Sequence, residues 1–371
     1  MYNDNPKYVS EKLHEVAPDV KIVWVYDKDY GNGEFPDYVK VIEPTSKEYL
    51  KYSYRSRCLV DNYTGFRMYT VTEPDNPWVM FITKLRVRKR KGQLNVSTWH
   101  GTPLKHIGSH EKSRKGKFEK PSNANYVTAG CKLMAEAVDG GILHGHIPIK
   151  MYGTPRNDAM FMDVDTKELK QKLGIPADKK VLLYAPTFRD TAEMSGAIQL
   201  RDWDTDKLLE ELSAKFGGEW CFIVRMHNLV LKILDIDSLN KSRKEKIING
   251  NLSDDMADYL RCTDLLITDY SSSMFDYALK KKICILYAPD IEHYENDERG
   301  FYLDIKDLPF PMAKTTEEII DVIREFDEEN YVKAVDRMLT DIGNCEDGNA
   351  SGRVVDDILY TIKNRRTPDQ N

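Results

Sequence analysis

Apolar residues recur along the chain in two rhythms. In the first half, short runs over 21–26, 40–42, 58–61, 94–98, 126–129 and 149–152 have the length and alternation of strands, and a helical spacing covers 7–16. In the second half, 180–185, 220–225, 264–268 and 283–287 are near-continuous apolar runs, as expected of strands covered on both faces. Helical patterns over 165–173, 205–216, 253–261 and 272–279 lie around and between those runs, and 316–326, 330–339 and 351–364 follow. This alternation predicts parallel α/β construction, with a doubly wound sheet in the second half and a frayed tail over 365–371.

With 371 residues, the chain suits two domains of about 150 residues better than one core. Gly153-Thr-Pro-Arg-Asn157 reads as the crossing between them, which gives domains over 1–155 and 156–371. Hydrophobic residues at 41% and charged residues at 31% exclude global disorder. A net charge of −6 argues against a nucleic-acid partner, because phosphate neutralisation requires a basic surplus. The six cysteines are scattered without a CxxC pair and read as reduced thiols, with neither a disulfide nor a zinc site expected. No run approaches the roughly 18 apolar residues of a membrane span. The start of the chain lacks the basic-then-apolar layout of a signal peptide, so any membrane role is expected to be peripheral.

Ligands of doubly wound domains bind beyond the carboxyl ends of the strands, and polar residues gather after five apolar runs or loops. Ser97-Thr-Trp-His-Gly-Thr-Pro-Leu-Lys105 ends a strand in a histidine able to accept a hydroxyl proton near neutral pH. His100 reads equally as a strand-end histidine satisfied by backbone, whereas His106, His110, His144 and His146 read as surface residues. In Ala185-Pro-Thr-Phe-Arg-Asp190, Thr187 and Arg189 are placed to hold phosphate oxygens, or Arg189 to make an interdomain ion pair. Arg225-Met-His-Asn228 sets Arg225 and His227 at another strand end, making His100 and His227 a candidate pair across a cleft. Asp269-Tyr-Ser-Ser-Ser273 opens a helix with Ser271, Ser272 and Ser273, suited to a diphosphate or to ordinary capping. Glu346-Asp-Gly-Asn-Ala-Ser-Gly-Arg353, with Asp347, Gly348 and Ser351, offers a second such helix start.

Two basic stretches stand out in a chain that is acidic overall. One carries Arg86, Arg88, Lys89 and Arg90; the other carries Lys112, Arg114 and Lys115. Their concentration suits an anionic membrane surface or acceptor, and equally a solvated loop. The pairs Asp254-Asp255 and Asp356-Asp357 read as solvated or helix-capping rather than metal-binding, so no metal or cofactor is expected.

Taken together, Thr98-Trp-His-Gly-Thr-Pro-Leu-Lys105, Ala185-Pro-Thr-Phe-Arg-Asp190, Arg225-Met-His-Asn228, Thr268-Asp-Tyr-Ser-Ser-Ser273, Arg299-Gly-Phe-Tyr302 and Asp347-Gly-Asn-Ala-Ser351 closely resemble the CDP-glycerol glycerophosphotransferase family of teichoic acid synthesis. The resemblance spans nearly the whole chain, in order. It implies a GT-B-like α/β fold: two Rossmann-like doubly wound domains facing a cleft, the first toward acceptor and membrane and the second holding the CDP-alditol. It further implies His100 and His227 as catalytic residues. Gly101, Thr102, Lys105, Thr187, Arg189, Arg225, Asp269, Ser271, Ser272, Ser273, Asp347, Gly348 and Ser351 would surround the donor. CDP-glycerol is then the donor, an undecaprenyl-diphosphate-linked precursor the acceptor, and the cytoplasmic face of the cell membrane the place of work. CDP-ribitol, a capsule-type polymer, a nucleotide-sugar glycosyltransferase of the same architecture and a noncatalytic nucleotide-binding scaffold stay open on sequence. The family usually carries an extra strand before the Asp-Asn-Pro-Lys segment, here at Asp4–Lys7, so a shortened or trimmed first domain is expected.

Overall fold

The computed structural model describes residues 1–28, 33–44, 46–63, 90–111, 123–163, 165–187, 200–226, 236–291 and 300–368. His227, Arg189, Arg86, Arg88, Lys89, Lys112, Arg114 and Lys115 lie outside them. Twelve short strands form three parallel sheets among the described residues. β1 (Ile22–Val25) pairs with β2 (Val39–Ile42) as a separate ribbon. β3 (Cys58–Asp61), β4 (Leu94–Ser97), β5 (Tyr126–Thr128) and β6 (Ile149–Lys150) form a four-stranded sheet in chain order.

The second half contributes β7 (Lys180–Tyr184), β8 (Trp220–Val224), β9 (Ile247–Asn249), β10 (Leu265–Thr268), β11 (Cys284–Tyr287) and β12 (Met312–Ala313). Their spatial order, β12-β11-β10-β7-β8-β9, is the doubly wound arrangement, with its switch point between β7 and β10. Every residue of β8 and β10 is buried, because helices cover both faces. One core holds Val181, Leu183 and Leu266, and the opposite face of the same strands packs Leu182, Leu265 and Ile267 into another. β9 and β12 have three and two residues, too few to show a period in sequence.

The last helix crosses the expected division into 1–155 and 156–371. Ala350–Asn364 returns to the first half, where Val354, Val355 and Ile358 share a core with Val9, Leu13, Leu94, Val96 and Tyr126. Asp357 pairs with Lys150 at 2.8 Å. The first helix, Asp4–Val16, packs on that last helix and also reaches the second half, where Lys7 and the Tyr8 hydroxyl both bond Asp255. Asp255 is thus a buried helix cap and ion-pair partner rather than a solvated carboxylate.

Two carboxylates secure this crossing. Buried Asp158 accepts from the Ala350 and Ser351 amides, both at 2.8 Å, and so caps the last helix. Glu346 accepts from the Thr154 amide (2.9 and 3.1 Å) and the Asn157 side-chain amide (3.0 Å). A side chain at Gly130 would collide with the Glu346 carboxylate. Burial pushes the Glu346 carboxyl up to about 7, against the opposing pull of its hydrogen bonds.

Asp158→Ala orphans two buried amides and is expected to cost about 2 kcal/mol in denaturant unfolding. Glu346 releases its proton near 4.5 when unfolded and near 7 when folded, so the native state holds the extra proton between those values. Stability should therefore fall as pH rises through that window and level off above it. Thermal melts of Glu346→Gln should lack this slope.

Candidate functional site

β4 stops at Ser97 because the chain turns sharply there. Thr98 bonds the Asp61 carbonyl through its amide (2.7 Å) and hydroxyl (2.9 Å). Trp99 then adopts φ +51 and Gly101 φ +106. The turn is held from outside by Asn5, whose side-chain amide donates to the Thr98 (3.0 Å) and Trp99 (2.8 Å) carbonyls. A Cβ at Gly101 would strike the Arg156 guanidinium, so the glycine is demanded by both backbone and neighbour.

His100 emerges from this turn at the edge of a cavity of about 350 Å³. Trp99 stacks on its ring at 4.2 Å, with Tyr63 at 6.0 Å. Its Nδ1 lies 3.1 Å from the Asn62 carbonyl oxygen. A carbonyl only accepts, so Nδ1 carries the proton and Nε2 keeps its lone pair. Although the side chain keeps solvent access, desolvation by the groups crowded around it holds the imidazole below its ordinary 6.5, and Arg156 adds to this, opposed by the Asn62 bond and the Asp4 charge.

The serine turn after β10 lines the same cavity through Ser271, Ser272 and Ser273, as does Arg225 after β8. Ser272 precedes the helix Ser273–Ala278 without making a side-chain capping bond, while Ser271 and Ser273 share a hydroxyl contact of 2.9 Å. A second cavity of about 280 Å³ shares Met1, Arg225, Asp254, Met256, Ser271 and Ser273 and continues past Ala185 and Pro186. The two therefore run from the imidazole to the switch point, where a doubly wound sheet receives its ligand.

Several expected ligand contacts are engaged within the protein instead. Arg225 gives three hydrogen bonds to the Gly250, Ser253 and Asp254 carbonyls (2.6, 2.7 and 2.9 Å) and lies over Tyr259. It braces the 250–254 turn and lines the cavity rather than presenting a free fork to phosphate. Thr187 donates its amide (2.8 Å) and hydroxyl (2.6 Å) to Asp269, clasping the ends of β7 and β10. Ser351 is buried at a helix start already filled by Asp158, and Asp347 pairs with Arg353. The Ala350 and Ser351 amides of that second helix start are thus engaged by Asp158. Gly348, at φ +82, backs onto Phe161.

Thr102 is buried against Cys131. Lys105 and Phe301 form an isolated antiparallel bridge, and the His106 amide donates to Gly300, so the His100 loop is sewn to the 300–302 loop. His106 and His110 pack around Tyr302, with Nδ1 of His110 at 2.8 Å from its hydroxyl. Arg90 bonds the Arg55 and Ser56 carbonyls at 3.2 Å each, a brace rather than a free membrane contact. Among the described residues no helix is long and apolar enough to cross a membrane, and no group of three or more His, Cys, Asp or Glu could hold a metal.

Sequence reasoning missed the charged centre of the cavity. Arg156 bonds Asp276 through Nη2 (2.7 Å) and Nε (3.1 Å), and Asp4 through Nη1 (2.9 Å). Burial lowers its affinity for the proton, but the two carboxylates outweigh that and raise it. Arg156 sits in the segment read as a mere crossing, Asp4 in the Asp-Asn-Pro-Lys segment to which no role was given, and Asp276 one turn into the serine helix.

Comparisons with known proteins bear on the family and the fold. Residues 1–360 match the family model described as CDP-Glycerol:Poly(glycerophosphate) glycerophosphotransferase. The teichoic acid poly(glycerol phosphate) polymerase of Bacillus subtilis (strain 168) is 31% identical over 345 residues, covering 89% of this chain but 43% of the relative. The chain thus spans less than half the length of that polymerase. The teichoic acid glycerol-phosphate transferase of Staphylococcus aureus (strain NCTC 8325 / PS 47) is 28% identical over 96% of this chain and 90% of its own. A solved structure of the wall teichoic acid polymerase TagF, in a histidine-to-alanine variant, superposes with a TM-score of 0.78 at 25% identity, covering 98% of this chain and 87% of that one. With the strand order, the imidazole at the end of β4 and the serine turn after β10 in place, this chain belongs to the CDP-glycerol:poly(glycerophosphate) glycerophosphotransferase family.

Proposed function

We propose that the chain transfers glycerol phosphate from CDP-glycerol to a hydroxyl of a lipid-linked wall-polymer precursor, releasing CMP. One observation carries the reading: His100, whose Nδ1 is engaged by the Asn62 carbonyl, lines the same cavity as the serine turn. The acceptor oxygen attacks the glycerol-bearing phosphorus, and its proton passes to Nε2 of His100. The bond from that phosphorus to the bridging oxygen breaks, and CMP leaves with the electron pair. The amides and hydroxyls of the serine turn suit the diphosphate oxygens.

The described lining carries Asp4, Asp254, Asp255 and Asp276 against Arg156 and Arg225, so it holds no cationic excess of its own. Arg189 and His227 remain the proposed source of positive charge for the donor phosphates. His227 would stabilise the leaving CMP when protonated. An undecaprenyl-diphosphate-linked acceptor places the enzyme peripherally at the cytoplasmic face of the membrane, with the two basic stretches as the proposed contact.

A ribitol donor is the second reading, favoured by one finding: a teichoic acid poly(ribitol-phosphate) polymerase of Bacillus spizizenii is 33% identical over 213 residues. Mass spectrometry of products from CDP-glycerol or CDP-ribitol with a lipid-linked disaccharide decides the donor. CMP and a phosphodiester support the transferase; a glycosidic product from a nucleotide sugar overturns it.

His100→Ala is expected to lower CMP release by on the order of 10² to 10⁴. Near-wild-type turnover would remove the base assignment. The neutral imidazole of His100 is the active form and its pKa lies below 6.5, so the acid limb of kcat/KM should have its midpoint under that value. A protonated His227 would add a separate fall on the alkaline side, which a His227→Ala variant should lack.

A further inference from the structure

We propose that Asp4 is a positioning residue for His100, acting through Asn62, which deepens and rests on the reading of His100 as the base. The chain of contacts is continuous. Asp4 Oδ2 accepts from the Asn62 side-chain amide at 2.6 Å, and the Asn62 carbonyl accepts the His100 Nδ1 proton at 3.1 Å. Asp4 Oδ1 accepts from Arg156 Nη1 at 2.9 Å and from the Asn5 amide at 2.8 Å. Asn5 in turn closes the circle, bonding the Thr98 and Trp99 carbonyls and, through Oδ1, the Arg156 amide.

The geometry does two things at once. A carbonyl fixed from behind locks the ring orientation and its tautomer, leaving Nε2 to face the substrate. An anion one residue removed favours the imidazolium formed when the acceptor proton arrives, in the manner of a buried carboxylate behind a general-base histidine. Backbone strain marks the same place independently. Asp4 holds φ +56 and Trp99 φ +51, two of the five non-glycine residues with positive φ among those described, and they lie on opposite sides of this relay. Strain of this kind persists where surrounding contacts over-determine it.

Other charges face the imidazole as well. Tyr63 and Trp99 cover its ring; Arg156 and Asp4 lie beside it. Asp254, Asp255, Asp276 and Arg225 line the rest of the cavity. Asp4→Asn removes the one charge that opposes Arg156 at the ring, so the imidazole should become a weaker base with a lower pKa.

The test is a cycle of Asp4→Asn, Asn62→Ala and His100→Ala in the full chain, following CMP release from CDP-glycerol across pH alongside thermal melting. Asp4→Asn should lower kcat about 10- to 100-fold with the KM for CDP-glycerol unchanged, and shift the acid limb to lower pH. Asn62→Ala should lower kcat while leaving the acid limb in place, because it loosens the carbonyl without removing a charge. In a His100→Ala background neither change should cost anything further. A full additional loss in that background overturns the relay while leaving the base intact, whereas wild-type turnover by His100→Ala overturns the base itself. Should Asp4→Asn fail to fold, Asn62→Ala alone decides: an unchanged kcat rejects the proposal.

Discussion

The site hangs on one buried guanidinium. Arg156 joins the first helix through Asp4 and the serine helix through Asp276, and its own backbone amide takes the Asn5 side chain that holds the His100 turn. Removing water from three charges is expensive, and the cost is offset only because each donor and acceptor is paired with good geometry. Such a node is weak evidence for stability, yet losing one partner leaves an uncompensated buried charge. Its value lies in register: three segments far apart in sequence are fixed relative to one another, with the imidazole between them. Gly101 belongs to the same constraint, since any side chain there would displace the guanidinium.

Around that node the fold is closed by a chain that doubles back. The last helix completes the core of the first sheet, and the first helix touches both halves. The cavity therefore lies between parts sewn together by contacts that include Lys7 with Asp255, Lys105 with Phe301, and Cys131 with Asn344. A loose hinge would leave the distance between the imidazole and the serine turn undefined, and in-line transfer is sensitive to displacements of about 1 Å.

The two helix starts that look alike in sequence illustrate how context decides chemistry. Both follow a polar, serine-bearing turn and both offer free amides. At Ser351 the buried Asp158 carboxylate occupies them, and the positive end of the helix serves folding. At Ser272 the side chain of the cap residue makes no capping bond, only the Ser271 hydroxyl accepts from the Ser273 amide at 3.4 Å, and the turn opens onto the cavity. Arg225 follows the same logic: a strand-end arginine proves to be spent on three carbonyls.

The sequence by itself determined the architecture and pointed to two candidate turns at strand ends. Near-continuous apolar runs such as Val181–Tyr184 and Leu265–Thr268 permit little but strands buried on both faces, and such strands end where ligands bind. His100 and Ser271 to Ser273 were legible because they directly follow such runs. What only the tertiary structure decided was pairing. Asp4, Asn62, Arg156 and Asp276 are polar residues in unremarkable positions, and hydrophobic periodicity carries no information about which buried charge meets which. The same holds for the return of Ala350–Asn364 to the first sheet: an amphipathic helix shows that it has a face to bury, while the partner surface is fixed only when the chain closes on itself.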